Sequence, residues 1–250
     1  DVIDDPEKKN PYAFVLWFKR IGRFANHTMH WNSPWGDGFP GWHIECSAMS
    51  MKYLGESFDI HTGGVEHIGV HHPAETAQSE AATGKQFVKY WVHRVLITVD
   101  GKKMGKSLGN FYTLKDVIDR KISPLAVRYL FLTTHYRTPL NFTWVSLEAA
   151  QNALNNLCDT ISQMKIKKTD SKIGCSEFEK QFTEAINDDL NTPKAIAVMW
   201  ELVKSKYPDS AKKQSLLVMD KVLGLGLDKI KKKKTIIPQE IKDLATAREK

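Results

Sequence analysis

The residues best suited to bind a metal ion are a cysteine, a histidine and a glutamate between positions 46 and 75. Cys46 lies within residues 41–49, and His71 precedes Glu75 by four positions. If residues 73–80 are helical, His71 and Glu75 stand one turn apart and can meet a single ion. All three residue types bind zinc, and three protein ligands with an open position are typical of a catalytic zinc, which would then hold a substrate.

A purely structural explanation competes with this zinc hypothesis. A cysteine between Ile44 and Met49 is usually a core residue, and paired histidines often cap helices or lie at the surface. Spacing alone leaves the question open. Residues 59–80, however, place glycines beside histidines, and such glycines mark close approach of the backbone to a ligand. We therefore expect a pocket around this segment.

Two lysines three residues apart form a second candidate site. Lys103 and Lys106 lie on a glycine-containing loop, residues 100–110, that follows an apolar run at residues 91–99. Such lysines can converge on one triphosphate and place positive charge where negative charge develops as pyrophosphate leaves. A solvated basic turn is the common alternative for a segment of this composition.

The elements that must position these residues change in character along the chain. Residues 1 to about 135 mix aromatic loops with short β-branched runs, which is typical of an α/β protein. From Ser146 onward, apolar residues recur at steps of three and four and predict a helix. Further helices are expected around Phe182, from Thr192 as the cap before Pro193, and from Ser215; a basic loop at residues 229–234 precedes a last helix near Pro238.

Composition limits the class of protein. The 250 residues are 42% hydrophobic, which is enough for a substantial core, and no apolar run is long enough for a membrane span. The three distant cysteines and the lack of a signal peptide predict reduced thiols and a cytoplasmic location. The net charge of +7 favours a polyanionic partner such as nucleic acid. The first residue, Asp1, and the absence of a helix-ending residue near Lys250 lead us to expect a fragment.

Residues 31–36, 41–49, 59–80 and 100–111 together resemble the sequences of cysteinyl-tRNA synthetases, a family of class I aminoacyl-tRNA synthetases. The resemblance covers almost the whole chain. It implies an α/β fold, namely the second half of a class I Rossmann-like catalytic domain followed by an α-helical bundle. The implied domains are residues 1–110 with the zinc site and lysine loop, a stem-contact region at 111–145, and a truncated tRNA-binding bundle at 146–250. The N-terminal ATP motif and the C-terminal end would be absent.

The resemblance also implies roles for residues of the first candidate site. Cys46, His71 and Glu75 fall on three of the family's zinc ligands, and the fourth is a cysteine in an N-terminal part absent here. Trp42 and His61 fall on positions that enclose the substrate amino acid.

The ATP site is implied in the same way. Gly63 and Gly64 lie where the backbone passes the adenosine, and Glu66 replaces a family aspartate near the ribose. Lys103 and Lys106 match the two catalytic, ATP-binding lysines of the class I lysine loop.

The implied activity is that of an ATP-dependent cysteine–tRNA ligase that uses zinc, and ATP with magnesium. The cysteine carboxylate attacks the α-phosphate of ATP, pyrophosphate leaves, and the terminal hydroxyl of tRNA(Cys) then takes the acyl group. A hydrophobic pocket rejects the near-isosteric serine only about 10²-fold, whereas zinc prefers a soft thiolate to an alcohol. The expected partners are tRNA(Cys), cysteine and ATP, with no membrane and a monomeric state.

Two other functions remain open at this stage. A mycothiol-type cysteine ligase, which joins cysteine to an amino sugar, shares the zinc segment and the lysine loop. The alternative that is not an enzyme is a zinc-stabilised RNA-binding module. The isolated fragment is expected to be inactive. Arg128, Tyr136 and Arg137 could reach tRNA phosphates, although arginines at helix ends more often form surface ion pairs.

Overall fold

A computed structural model describes residues 8–166 and 173–230 of the chain. The chain forms two compact units, Asp1–Leu96 and Ile97–Lys250. The basic residues from position 231 and the helix expected near Pro238 lie outside the described residues. The functional division at residues 110 and 145 stays a prediction.

The first unit is built around a parallel βαβ arrangement. A small antiparallel pair, β1 (Trp17–Lys19) and β2 (Gly38–Pro40), precedes helix α1 (Trp42–Leu54). Strand β3 (Phe58–Gly64) pairs in parallel with β4 (Val88–Arg94), and helix α2 (His71–Thr83) connects them. In such units the carboxyl end of a strand lies beside the amino end of the following helix, which is the usual place for a ligand.

Helices α1 and α2 approach closely because small polar side chains face each other between them. Ser79 Oγ donates a hydrogen bond to Ser47 Oγ at 2.8 Å, and both residues are buried. The Gln78 amide donates to the His43 carbonyl oxygen at 2.6 Å. These bonds satisfy polar groups that would otherwise be costly to bury and set the rotation of α1 against α2.

The second unit begins with a three-stranded sheet in the order β6–β5–β7. Strand β5 (Ile97–Val99) forms a hairpin with β6 (Lys102–Lys103) and pairs in parallel with β7 (Leu140–Phe142). The expected turn is present, since Asp100 and Gly101 both have positive φ, 49° and 75°. The run at residues 91–99 is not one strand, because β4 ends at Arg94 and β5 starts at Ile97 in the other unit.

Helices make up most of the remaining described residues of the second unit. Short helices α3 (Leu114–Asp119) and α4 (Pro124–Leu132) lead to α5 (Trp144–Gln163), α6 (Ser176–Asn187), α7 (Thr192–Lys204) and α8 (Asp209–Leu223). The periodicity in α5 correctly predicted its buried face: Leu147, Ala150, Leu154, Leu157 and Ile161.

Two helix starts differ from the sequence prediction. The cap of α7 is Asn191 and not Thr192, because the Asn191 side chain accepts the hydrogen bond from Lys194 N. An asparagine is at least as good a cap as a threonine, and Thr192 and Pro193 then become the first helical residues. Helix α8 starts at Asp209, well before Ser215. The sequence prediction missed this start because the first turns of the helix have a weaker apolar pattern.

The side chains considered for tRNA phosphates make internal contacts. Arg128 Nε donates to the Leu223 carbonyl oxygen at 2.5 Å. The Tyr136 hydroxyl donates to Asp189 Oδ1, and Arg137 Nε forms an ion pair with Asp189 Oδ2, each at 2.6 Å. The backbone of Asp189 and Leu190 has positive φ, 53° and 55°. These contacts stabilise a turn between α6 and α7 that non-glycine residues rarely adopt, which favours the structural explanation. Within the described ranges, no helix is long and apolar enough to cross a bilayer.

Candidate metal and substrate site

The first unit brings together the three residues that the sequence analysis singled out for zinc. Cys46 lies in the second turn of α1, and His71 and Glu75 lie in the first turns of α2. Their Sγ, imidazole nitrogen and carboxylate oxygen all lie within 4.8 Å of one another. Glu75 is 0% exposed and His71 is 5% exposed. Their convergence is therefore a property of the packed interior between α1 and α2.

Burial makes the charged forms of these three side chains unfavourable when no cation is present. It lowers the pKa of His71 to about 4, with a further contribution from His43. Burial also raises the pKa of the Glu75 carboxyl, against the opposing effect of His61. The pKa of the Cys46 thiol is raised by burial and then by the negative charge of Glu75. A divalent cation would reverse the preferences of Cys46 and Glu75, since it favours thiolate and carboxylate, and it would also favour the neutral imidazole of His71.

An unsatisfied oxygen tests whether the residues fit a metal ion. Glu75 Oε1 is buried and has no hydrogen-bond partner, although it lies 2.6 Å from His71 Nε2. Buried carboxylate oxygens are almost always paired, so this one requires an explanation. A carboxylate oxygen and an imidazole nitrogen that lie 2.6 Å apart without a hydrogen bond, with a thiol nearby, match a cation site with one sulfur, one nitrogen and one oxygen donor. The donor set fits zinc.

Further histidines surround the triad. His43 Nδ1 lies 2.6 Å from His71 Nδ1, and His61 Nε2 lies 2.7 Å from Glu75 Oε2. The next pair, His72 and His93, is joined at 2.7 Å. Sequence reasoning did not single out His43, His72 or His93. A signal was available, because most of the nine histidines fall between residues 43 and 93: His43, His61, His67, His71, His72 and His93.

The two positions expected to enclose an amino acid lie beside the triad. Trp42 is 57% exposed and its ring stacks on His71, with centroids 4.1 Å apart. His61 stacks on Trp91 at 4.6 Å and contacts Glu75 on its other edge. Trp42 can therefore contact a ligand next to the donors, whereas His61 is partly engaged within the protein.

The end of β3 also approaches the histidines closely. A Cβ atom on Gly63 would lie 2.7 Å from His72 Nε2, so only glycine fits without displacing that ring. A Cβ on Gly64 would collide with the carboxylate of Glu66, which folds back over it. Glu66 thus covers the backbone that was expected to pass the adenosine, and its Oε1 lies 4.0 Å from His67 Nε2.

The two lysines of the loop belong to the second unit. Lys103 ends the β5–β6 hairpin, and Lys106 begins a short 3-10 turn with its ammonium 5.5 Å above the Phe111 ring. Asn110 fixes the loop between them: its Oδ1 accepts from Gly105 N at 2.9 Å and its Nδ2 donates to the Lys103 carbonyl at 3.0 Å. Both lysine residues are exposed.

Comparisons with known proteins show the family of the chain. Residues 2–152 match the family described as tRNA synthetases class I (C) catalytic domain, and residues 181–228 match a DALR domain. The chain is 48% identical to a cysteine–tRNA ligase of Chlorobaculum tepidum over 206 residues, which is 82% of this chain and 41% of the relative. It is 46% identical to cysteine–tRNA ligase 1 of Burkholderia lata over 238 residues, which is 95% of this chain and 50% of the relative.

A solved structure with a similar fold is a LeuRS from Agrobacterium radiobacter in ternary complex with tRNA and LeuAMS. The TM-score is 0.56 and the identity is 17%, over 81% of this chain and 33% of that one. The expected fold class, part of a class I catalytic domain followed by a helical domain, is confirmed. The chain spans between 41% and 50% of the length of the two curated relatives described above.

Proposed function

Because this chain belongs to the family of class I (C) tRNA synthetase catalytic domains, we propose that it is the zinc- and ATP-handling part of a cysteine–tRNA ligase. The observation that carries the proposal is the convergence of Cys46, His71 and Glu75 in the first unit. Relatives named as cysteine–tRNA ligases, at 46% and 48% identity, support the same substrate class.

The first unit would select the amino acid. Cys46, His71 and Glu75 would hold the ion, and Trp42 would form a wall of the amino acid pocket next to it. Bound there, zinc would supply a soft Lewis acid that binds a thiolate at about 2.3 Å and discriminates against the hydroxyl of serine. A pocket without such a donor set would reject serine by only about 10²-fold, since the two amino acids are nearly isosteric.

ATP would be the second ligand. We assign Gly63, Gly64 and Glu66 to the adenosine, and Lys103 and Lys106 to the phosphates. The cysteine carboxylate oxygen would attack the α-phosphorus while the bond to the β-phosphate oxygen breaks and pyrophosphate leaves. The lysine ammonium groups would stabilise the charge that develops on the leaving group, and magnesium would accompany the nucleotide.

The second substrate would be tRNA(Cys). Its terminal hydroxyl would attack the carbonyl carbon of the adenylate, and AMP would leave. The positive net charge of the chain, +7, and the names of the relatives support tRNA over an amino-sugar acceptor. A cytoplasmic location and a monomeric state belong to the same proposal.

The test is cysteine-dependent exchange between pyrophosphate and ATP, measured on the full-length polypeptide that carries this chain. We expect exchange with cysteine and almost none with serine. His71→Ala should raise the KM for cysteine by at least about 10²-fold and change the KM for ATP little, since one metal donor is lost.

The matched variant is Lys106→Ala. It should slow exchange while leaving bound zinc and the preference for cysteine over serine unchanged. Equal losses of cysteine and ATP binding in His71→Ala would contradict a role in selecting the amino acid. Absence of cysteine-dependent exchange in the unmodified protein would contradict the proposed function as a whole.

A further inference from the structure

Two histidines outside the donor triad make hydrogen bonds to its members. His43 contacts Nδ1 of His71, and His61 contacts Oε2 of Glu75. The other two atoms, His71 Nε2 and Glu75 Oε1, face each other. We propose that His43 and His61 are positioning residues that fix the orientation and tautomer of the metal donors His71 and Glu75. This inference rests on the metal site of the proposed function.

The contact between His43 and His71 fixes the position of one proton. Both atoms are Nδ1 and they lie 2.6 Å apart, so one ring must donate and the other must accept. A His71 that binds a metal through Nε2 has its proton on Nδ1. His71 therefore donates to His43, and His43 accepts on Nδ1 and carries its own proton on Nε2.

The same tautomer leaves His71 unable to donate a hydrogen bond to Glu75 Oε1. With the His71 proton on Nδ1, Nε2 presents a lone pair to Glu75 Oε1 at 2.6 Å, and no hydrogen bond can form between them. Two lone pairs at that distance repel each other unless a cation lies beside both. His43 thus keeps His71 in the form that a metal requires, as partners of metal-binding histidines commonly do.

His61 acts on the other donor. Its Nδ1 faces the Thr62 carbonyl oxygen at 3.2 Å and its Nε2 faces Glu75 Oε2 at 2.7 Å. A neutral His61 has one N–H, and with that proton on Nε2 it donates to the ionised Glu75 carboxylate. Because Oε2 is occupied by this bond, Oε1 is the oxygen left to face His71.

His67 provides a matched control within the same cluster. Its ring lies 5.0 Å from that of His71 and 5.5 Å from Trp42. Within residues 8–166 and 173–230, however, no hydrogen bond joins His67 to Cys46, His71 or Glu75. A change at His67 alters the size and polarity of the cluster without removing a bond to a donor.

The experiment measures the apparent Kd for Zn²⁺ by competition with a chromophoric chelator, on the full-length polypeptide. His43→Asn and His61→Gln keep a polar atom near the bonding position, whereas His43→Phe and His61→Phe keep only the ring volume. We expect both phenylalanine variants to weaken zinc binding about 10- to 100-fold. The amide variants should recover most of the affinity, and His67→Gln should change it less than about threefold.

Several results would overturn the inference. Equal affinities for the phenylalanine and amide variants would mean that ring volume, and not the hydrogen bond, matters. A zinc stoichiometry of two would make His61 a ligand of a second ion with His72 and Glu75, a group whose donor atoms also lie within 4.8 Å. Loss of zinc in His67→Gln equal to that in the phenylalanine variants would indicate a general effect of packing.

Failure of the inference and failure of the proposed function can be told apart. If the unmodified protein binds zinc and all variants bind it equally, the metal site stands and the positioning role is wrong. If the unmodified protein binds no zinc, the metal site itself is wrong, and the positioning role fails with it. Circular dichroism of each variant shows whether a loss of affinity comes from a loss of fold.

Discussion

Replacement of Glu75 by glutamine should change metal affinity and stability in opposite directions. Glu75 is fully buried, and burial raises the pKa of its carboxyl. In the metal-free protein at pH 7, ionising this group therefore costs free energy that a neutral amide does not. A glutamine can accept from His61 Nε2 and donate to His71 Nε2, so it leaves neither neighbour without a partner. We expect the free energy of unfolding of the metal-free protein to rise by about 1 kcal/mol.

The effect on metal binding is larger. The binding free energy of zinc at a structural site is about 10–16 kcal/mol, which corresponds to about 3 kcal/mol for each of four ligands. An amide oxygen is a much poorer zinc ligand than a carboxylate. Glu75→Gln should therefore weaken zinc binding on the order of 10²-fold, because about 1.4 kcal/mol is a factor of ten.

Chemical denaturation after removal of metal with a chelator, followed by tryptophan fluorescence, measures the stability change. A chelator competition measures the change in affinity. The stability gain should shrink as the pH falls towards the ordinary value of 4.5 and be absent below it, because a raised pKa penalises the folded state only where the unfolded carboxyl is ionised. Glu45→Gln, an exposed charge change next to Cys46, is the control and should alter both quantities little. Lower stability together with unchanged zinc affinity would show that Glu75 is a structural residue and would refute the reasoning.

Three further results are expected. Asn110→Ala should slow pyrophosphate exchange about 10- to 100-fold at unchanged zinc content, because the lysine loop loses both of its side-chain bonds; unchanged kinetics would count against an ordered loop. The metal-free protein should lose stability to denaturant as the pH falls from about 6.5 to about 4, since burial holds the pKa values of His71 and His72 at about 4, below the ordinary 6.5; stability that is flat across this window would disagree. Leu157 is 0% exposed, so Leu157→Ala should lower the free energy of unfolding of the second unit by about 2–5 kcal/mol. Val145 is exposed, so Val145→Ala should change it by less than about 0.5 kcal/mol.

Local spacing predicted the parts of the site that lie on one element. His71 and Glu75 are four residues apart, and the helix that this spacing requires is present and starts at His71. The buried face of α5 follows from its 3.6-residue period for the same reason. In both cases a single helix determines which side chains share a face.

Contacts between elements were harder to predict. Cys46 reaches the other two donors because Ser47 and Ser79 let α1 and α2 approach closely, and no local pattern in either helix indicates that pairing. The bonds from His43 and His61 have the same tertiary origin. The break between β4 and β5 was missed because residues 91–99 are mostly apolar and contain no glycine or proline, while the two halves of the run belong to different units.

X-ray absorption at the zinc edge, on the full-length protein with and without substrate, tests the central claim most directly. We expect one zinc per chain whose first shell contains sulfur, nitrogen and oxygen. Addition of cysteine should add one sulfur at about 2.3 Å, and addition of serine should leave the sulfur count unchanged. A shell without sulfur, or a sulfur count that does not respond to cysteine, would contradict the selection of the substrate thiolate by Cys46, His71, Glu75 and their bound ion.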